Sequence, residues 1–401
     1  MLTNLWYVAE WSDKVKDKPV RARLLGQNFV LFRDKSGKVN CLSDICIHRG
    51  GSLSNGWTTE RDCVACPYHG WEFDTEGKVQ FIPSRGEDAD IPERARIDSY
   101  PTQERYGMIW VFMGDIQEQE RYPIPPFPEY DDRENWRPIY TEFSWNADVN
   151  RVVENGIDIA HTAFVHPGFG YREMAAKNHI VKIERDEYSG TSSCVLYPPP
   201  MEGNLGLMKF ARKDKAATHV HPAFYLPGHT VRLHIQVNSW MEMIIFDCNT
   251  PIDENTTRSF VVQVRNFFKW GMFDKGSVKR TQKVFQEDAA IVEALSPYYL
   301  PESLEAEVSV EQDKFMGAWR KIRKVHVEEK GWKIDTKAME PFKDETIAYM
   351  ETLEAAGVPT SFRVFEGGFH GFEILAPKVG VSLEAIEFQG SAFAEFYDRY
   401  L

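Results

Sequence analysis

Apolar and polar residues alternate in short runs near the start of the chain and again around residue 75. The run VRARLLGQNFVLFRDKSGKVNCL is broken at residues 34–37, and EFDTEGKVQFIP turns at Glu76 and Gly77. A period of two residues with Gly at the break is typical of β-hairpins. The pattern predicts a small antiparallel β-sandwich over residues 1–118, with its last strand near MIWVFMGD.

A Pro-rich stretch, YPIPPFPEYDD, separates this region from a second one at residues 119–335. Strand-like runs between 180 and 265 lie between two helical patterns, RVVENGIDIAHTAFVHPG and VKRTQKVFQEDAAIVEALSP. A curved antiparallel sheet wrapped around a helix would enclose a cavity, which gives an α+β fold. Four histidines in these strands match no ligand spacing and are expected to be structural or to line the rim of the pocket: His219, His221, His229 and His234.

Composition narrows the classes of function. A net charge of -13 over 401 residues opposes binding to nucleic acid, which needs clustered Lys and Arg. No apolar run of about 18 residues and no secretion signal are evident, so a soluble, cytoplasmic protein of two or three domains is expected. Apart from the two cysteines that stand close to histidines, the cysteines are expected to be small buried residues: Cys41, Cys63, Cys194 and Cys248.

Two short loops each offer one thiol and one imidazole. They are Cys46-Ile47-His48 and, after seventeen residues, Cys66-Pro67-Tyr68-His69. Zinc fingers usually pair Cys with Cys and His with His, whereas mixed loops suit a two-iron cluster with two Cys on one iron and two His on the other. Glycines follow both histidines, where the backbone must approach the cluster. The loops predict a [2Fe-2S] cluster, with structural zinc as the alternative.

The first helical pattern carries Glu154, Asp158 and His161, which share one face at about 100° per residue. His166 precedes Pro167, a position disfavoured in helices, so the helix is expected to end there. An imidazole on the last turn and another on the exit loop can converge on one metal. A lone histidine is more often a core residue, but this pair beside an aspartate favours iron that activates O2, which commonly uses two His and one carboxylate.

The third ligand is expected on the second helical pattern. Asp288 falls in the middle of its apolar stripe, Glu287 at the edge and Glu293 clear of it. The stripe comprises Val284, Phe285, Ile291, Val292 and Leu295. A carboxylate directed into a core must be paired or bound to metal, so Asp288 is the predicted ligand. Asp313 and Glu311 remain alternatives, although Asp313 lies opposite the apolar face of its own helix.

The Cys/His loops come first in the chain, followed by Asp-x-x-His-x-x-x-x-His and then by Phe-x-Glu-Asp. With this order of motifs, residues 1–335 resemble the large, terminal oxygenase subunit of Rieske non-haem iron oxygenases. They look most like the demethylases and hydroxylases that lack a small subunit. Respiratory Rieske proteins carry a disulfide between the loops, which Gly51 and Tyr68 exclude here. The resemblance implies a Rieske domain, a helix-grip catalytic domain, and a ring of three subunits in which electrons cross between neighbours.

The resemblance also implies a role for each matching residue. Cluster ligands would be Cys46, His48, Cys66 and His69, and ligands of the mononuclear Fe(II) would be His161, His166 and Asp288. Asp158 would connect a cluster histidine of the adjacent subunit to His161, and fix the tautomer of that ligand. Glu154 would support Asp158 or limit solvent access, and these two roles stay open.

The implied function is a monooxygenase that hydroxylates or demethylates a small apolar aromatic or heterocyclic compound. Cis-dihydroxylation of a ring is the alternative, and an electron carrier without a working iron site is an alternative of another class. No flavin or dinucleotide motif is visible, so a separate NAD(P)H-dependent reductase, with or without a ferredoxin, must supply electrons.

Residues 336–401 resemble the C-terminal end of an α/β-hydrolase. His370, Gly371 and Phe372 match the context of its histidine, and Glu340 stands roughly where the acid partner would be. No Gly-x-Ser-x-Gly elbow occurs in the chain, so the segment lacks a nucleophile and is predicted to be inactive.

Overall fold

The computed structural model describes residues 1–87, 90–167, 170–197, 217–301, 306–332, 387–388 and 391. The chain divides into two compact units, one of which runs from Leu2 to Lys333. This unit contains both predicted metal sites. The hydrolase-like features at Glu340 and His370 lie outside the described residues.

The N-terminal part of the Leu2–Lys333 unit is built from short antiparallel strands in three sheets, ordered β1-β11-β10, β2-β3-β4-β9 and β5-β6-β7-β8. The strands are β1 Leu5–Trp11, β2 Val20–Leu24, β3 Gln27–Arg33, β4 Val39–Ser43, β5 Trp57–Thr58, β6 Val64–Ala65, β7 Glu72–Phe73, β8 Val79–Phe81, β9 Ser99–Tyr100, β10 Thr102–Arg105 and β11 Met108–Met113. Both predicted hairpins form, one between β3 and β4 and one between β7 and β8. The second turn needs glycine, because Gly77 has φ +79° and an added Cβ would lie 2.1 Å from the Ile97 carbonyl oxygen.

A seven-stranded antiparallel sheet, ordered β12-β18-β17-β16-β15-β14-β13, dominates the second part. Its strands are β12 Arg137–Trp145, β13 His179–Arg185, β14 Ser189–Leu196, β15 Thr218–Tyr225, β16 Thr230–Gln236, β17 Glu242–Pro251 and β18 Thr257–Arg265. The helices are α1 Pro128–Asp131, α2 Val149–Ile157, α3 Thr162–Val165, α4 Asp274–Val292 and α5 Lys314–Glu328. This arrangement confirms the predicted α+β class.

The two faces of the large sheet have different partners. On one face, Phe246 and Phe260 share a core with Trp110 of β11, which joins the sheet to the N-terminal part. On the other face, Trp145 packs on Phe285 of α4, with ring centroids 5.6 Å apart. The helices that carry the predicted iron ligands therefore lie on the face opposite the N-terminal strands.

The continuous helix predicted through His161 is wrong. Helix α2 ends at Ile157, and α3 begins at Thr162. Asp158 adopts an extended conformation, and its Oδ1 accepts a hydrogen bond from the Ala160 amide at 2.7 Å. Such a bond from a nearby backbone amide to an Asp side chain competes with helix propagation.

The apolar stripe predicted on α4 is only partly correct. Asp288 and Val292 are buried as expected, but the side chains of Ile291 and Leu295 are exposed. Polar Ser277 and Thr281 occupy the buried face at the beginning of the helix. The helix thus presents apolar residues outward near its C-terminal end.

The remaining cysteines and histidines have structural surroundings. All six cysteines are buried and free of disulfides, which confirms the prediction for the four outside the loops. His229 is buried and stacks on Tyr7. His234 Nε2 lies 2.6 Å from Glu242 Oε2, and His221 Nδ1 lies 3.0 Å from Ser193 Oγ.

Candidate metal centres

The two Cys/His loops have the same backbone geometry. In the first, the Gly50 amide donates to the Cys46 carbonyl at 2.8 Å, and in the second the Gly70 amide donates to the Cys66 carbonyl at 2.9 Å. Both glycines have positive φ, +70° and +72°, which favours glycine at these positions. Each cysteine thereby begins a tight turn that brings the following histidine back to the same tip.

Burial separates the thiols from the imidazoles. Cys46 and Cys66 are 3% and 1% exposed, whereas His48 is half-buried and His69 is exposed. Burial raises the pKa of the Cys46 thiol to about 11, so a nearby metal is needed to hold it as a thiolate at neutral pH. His48 stacks on Trp71 with centroids 4.5 Å apart, and its buried Nδ1 finds no hydrogen-bond partner among the described residues. Buried sulfurs with an orphaned imidazole nitrogen fit metal ligation.

The spacing of these four side chains favours a cluster over a single zinc ion. Ligand atoms around one tetrahedral zinc would lie within about 4 Å of one another. Across the part of the chain that the structure describes, one set alone brings three or more ligand atoms within 4.8 Å of one another, and it is not this one. The two loops nevertheless lie close together, because a Cβ added to Gly51 in the first loop would lie 2.8 Å from Cys66 Sγ in the second. The four ligand atoms are therefore not gathered as they would be around one zinc ion, which favours a two-iron cluster.

The set that does converge consists of His161, His166 and Asp288. His161 Nε2 and His166 Nε2 are 3.2 Å apart, and Asp288 Oδ1 lies 3.4 and 3.0 Å from them. Two helices position the set, since His161 immediately precedes α3, His166 follows it, and Asp288 lies on α4. His166 and Asp288 are buried, at 2% and 4% exposure.

These distances fit one metal ion. Ligands at about 2.1 Å from a metal and at right angles to one another are about 3.0 Å apart. Asp288 Oδ1 makes no well-formed hydrogen bond within the described ranges, although both imidazoles face it. Nitrogen and oxygen atoms that converge on one buried point fit a cation there. Two imidazoles and one carboxylate match the donor set of non-haem Fe(II).

Two carboxylates contact the outer nitrogens of the imidazoles. Asp158 Oδ2 lies 3.3 Å from His161 Nδ1, and Glu287 Oε2 lies 3.0 Å from His166 Nδ1. Burial opposes a charged His161, but the carboxylates of Asp158 and Asp288 outweigh it and raise the pKa of this imidazole to about 9. Such partners fix the tautomer and orientation of a ligand histidine. Sequence reasoning missed Glu287, whose only signal was its place at the edge of the α4 stripe.

Glu154 faces a different partner. The Arg320 guanidinium of α5 donates to Glu154 Oε2 at 2.8 Å and to Glu307 at 2.7 Å. Burial raises the pKa of Glu154, although Arg320 opposes the shift. Asp313, one of the alternative iron ligands, caps the Val310 amide, and the other, Glu311, is exposed. None of these three belongs to the convergent set.

A cleft of about 260 Å³ opens beside the convergent set. Asp158 and His161 contribute to its lining, together with residues of α4 and α5 and the segment between them. Several of its apolar residues are strongly exposed, including Ile291 at 51%, Leu295 at 39% and Val308 at 96%. Exposed apolar residues around a cleft mark a surface suited to contact with another macromolecule.

Comparisons with known proteins agree with both centres. Residues 5–101 match the Rieske [2Fe-2S] domain, and residues 145–329 match the vanillate O-demethylase oxygenase C-terminal domain. The chain is 30% identical to the vanillate O-demethylase oxygenase subunit of Pseudomonas sp. (strain HR199 / DSM 7063), over 72% of this chain and 84% of the relative. It is 28% identical to the methylxanthine N1-demethylase NdmA of Pseudomonas putida, over 76% of this chain and 81% of the relative.

A solved structure of NdmA with caffeine superimposes on this fold with a TM-score of 0.69 at 25% identity. The match covers 81% of this chain and 91% of that one. Fold and sites thus define an oxidoreductase that uses iron to incorporate O2. The chain belongs to the Rieske non-haem iron oxygenases, as a large subunit with a [2Fe-2S] cluster and a mononuclear iron as cofactors. Among the described helices, none is long and apolar enough to cross a membrane.

Proposed function

We propose that Cys46, His48, Cys66 and His69 hold the cluster, and that His161, His166 and Asp288 hold the mononuclear iron. The observation that carries the second assignment is the convergence of three ligand atoms within 3.0–3.4 Å of one another. When bound, the iron supplies O2 activation with electrons delivered through the cluster. Asp158 and Glu287 hold His161 and His166 by their outer nitrogens, so that both Nε2 atoms stay directed at the same point.

Asp158 has a second proposed role between subunits. The cleft beside it takes the cluster tip of a second copy of this chain, so that Asp158 links His69 of the partner subunit to His161. Two features support this docking. His69 is exposed, and the residues around it, Ile47 at 51% and Tyr68 at 65% exposure, form an apolar tip that complements the exposed apolar rim of the cleft. Repetition of such a head-to-tail contact closes a ring, here proposed to be a trimer.

The proposed reaction is monooxygenation of a small aromatic or heterocyclic compound, by hydroxylation or oxidative demethylation. One atom of O2 enters a C–H bond, and the other leaves as water after uptake of two electrons and two protons. Names of the relatives support this class, because one is a methylxanthine demethylase and another a vanillate demethylase. The latter is an oxygenase subunit, which is one component of a larger system. A separate NAD(P)H-dependent reductase, with or without a ferredoxin, is the proposed electron source, and the cytoplasm the proposed location.

Domain boundaries are proposed at residues 1–118 for the Rieske domain and 119–335 for the catalytic domain. Matches to residues 5–101 and 145–329 support this division. Residues 336–401 are proposed to form an inactive segment.

Labelled oxygen tests the reaction. Purified protein, a generic reductase and NADH are supplied with aromatic methyl ethers and N-methyl heterocycles under ¹⁸O2. One labelled atom in the product, or in the released formaldehyde, is expected. Two labelled atoms in a ring diol would instead identify a dihydroxylating enzyme, and NADH oxidation without any oxygenated product would contradict the proposal.

A further inference from the structure

Asp247 lies in the middle of β17 on the face of the sheet that carries the iron-site helices. Its cross-strand partners are Val231 and Val261. Val231 packs on α2, since its methyl carbons would lie 3.2 Å from a Cβ added to Gly156. The opposite face of β17 belongs to the core shared with the N-terminal strands. The side chain of Asp247 therefore points toward the side where α2 and α4 lie.

The surroundings of Asp247 leave one carboxyl oxygen without a partner. Two valines flank it across the strands, and Ile245 precedes it on the same face. The residue is 6% exposed, and its Oδ1 has no hydrogen-bond partner among the described residues. Burial of a carboxyl oxygen without a hydrogen-bond partner lowers the stability of the folded protein. Native proteins therefore rarely keep such an oxygen without a ligand or a water molecule bound to it.

Neighbouring polar side chains on this face are already engaged. The Thr281 hydroxyl of α4 donates to Gln263 Oε1 of β18 at 3.1 Å, and Trp145 Nε1 donates to Ser259 Oγ at 2.8 Å. The Arg265 guanidinium at the end of β18 is paired with Asp274 at 2.8 Å. Asn249, two residues further along the same face, and Ser259 also lie close enough to hydrogen-bond the Asp247 carboxyl, but Oδ1 keeps no partner among the described residues. Asp247 thus differs from these neighbours in having a free acceptor on the face that carries the iron-site helices.

We propose that Asp247 is a specificity-determining residue, whose Oδ1 accepts a hydrogen bond from an N–H or O–H group of a neutral ring substrate. This inference rests on the proposed function, because it places the substrate between β17 and the iron ligands. Oδ1 can accept such a bond whether the carboxyl is ionised or neutral. Burial raises the pKa of Asp247 to about 7 although hydrogen bonds with Asn249 and Ser259 oppose the shift, and the nearby Asp288 adds to it. A carboxylate-bearing substrate would meet two acidic groups here.

Matched ligand pairs test the inference by binding alone. Theobromine and caffeine differ by one ring N–H, which caffeine replaces with N-methyl, and guaiacol and its methyl ether veratrole differ by one O–H. Titration calorimetry on the oxidised holoenzyme without reductase excludes turnover. The wild type is expected to bind the donor-bearing member of at least one pair about tenfold more tightly.

Two substitutions separate recognition from folding. Asp247→Val removes the acceptor and is expected to abolish the preference within the pair. Asp247→Asn keeps a carbonyl acceptor and is expected to retain the preference within about threefold. A purely structural role for Asp247 would instead leave the preference within the pair unchanged in Asp247→Val.

Three results would overturn the inference: equal affinity of the wild type within both pairs, no binding of any of the four compounds, or a preference that survives in Asp247→Val. Iron content and reductase-driven O2 consumption, measured on the same preparations, report on the proposed function separately. A preparation with full iron and O2 consumption but no preference would therefore refute the role of Asp247 alone.

Discussion

Replacement of Asp158 by Asn tests the contact between this carboxylate and His161. Asp158 Oδ2 lies 3.3 Å from His161 Nδ1, which is longer than the 2.7–2.9 Å typical of a charge-assisted hydrogen bond. Their side chains are 20% and 17% exposed, so water screens the contact only in part. His161 Nδ1 makes no well-formed hydrogen bond with any described residue, so the contact acts through the charge of the carboxylate. Loss of such a partner of a ligand histidine typically costs about 10- to 100-fold in metal affinity, and the long contact favours the lower part of this range, about 10- to 30-fold or about 1.5–2 kcal/mol.

Chelator competition on the mononuclear site measures that affinity, and visible absorption follows the cluster in the same sample. Asp158→Asn is expected to weaken iron binding by about 10- to 30-fold and to leave the cluster spectrum unchanged. Glu154→Gln is the matched control one helical turn away, where the partner is Arg320 rather than His161. Its iron affinity is expected to stay within about threefold of the wild type, because Glu154 contacts Arg320 and not a ligand histidine. Wild-type iron affinity in Asp158→Asn, or an equal loss in Glu154→Gln, would refute the reasoning.

Two further substitutions address the cluster loops and the sheet. Gly51→Ala places a Cβ 2.8 Å from Cys66 Sγ and is expected to lower the cluster content, measured as acid-labile sulfide. Gly276→Ala is the control, because open space surrounds Gly276, and its sulfide content should equal that of the wild type. Equal sulfide contents in the two variants would contradict this prediction. Burial lowers the pKa of His229 to about 3, whereas the pKa of a histidine in the unfolded chain is about 6.5. As the pH falls between these two values, the unfolded chain binds a proton that the folded chain does not, so the free energy of unfolding falls by about 1.4 kcal/mol per pH unit. Denaturant unfolding at pH 7.5 and 5.5 should show this loss in the wild type and a smaller loss in His229→Asn. Asn is chosen because it tolerates the positive φ of this position. Identical losses in the two proteins would contradict the prediction.

Local sequence patterns predicted much of the fold and several of the side chains that form the candidate metal centres. The hairpin breaks at residues 34–37 and at Gly77 are local, because turn residues act on their own neighbours. Mixed Cys/His loops and a carboxylate within an apolar stripe are likewise local signals. Asp288 lies beside both histidines, although no part of the sequence around it specifies which residues it meets.

Other features depend on tertiary context. The break after Ile157 arises because the Asp158 side chain bonds the Ala160 amide, an alternative that helical periodicity does not reveal. Ile291 was assigned to the core because it is apolar, yet it is exposed beside a cleft whose proposed occupant is another subunit. Asp247 escaped notice because a single acidic residue in a strand looks like an ordinary surface position until its cross-strand neighbours are known.

Iron and sulfide content per chain, in the wild type and in His161→Ala, tests the central claim that separate residues hold two iron centres. The wild type is expected to contain about three irons and about two acid-labile sulfides. His161→Ala is expected to lose about one iron and all turnover, while it keeps the sulfides and the cluster absorption. A variant that retains the full iron content, or that loses the cluster together with the single iron, would contradict the account.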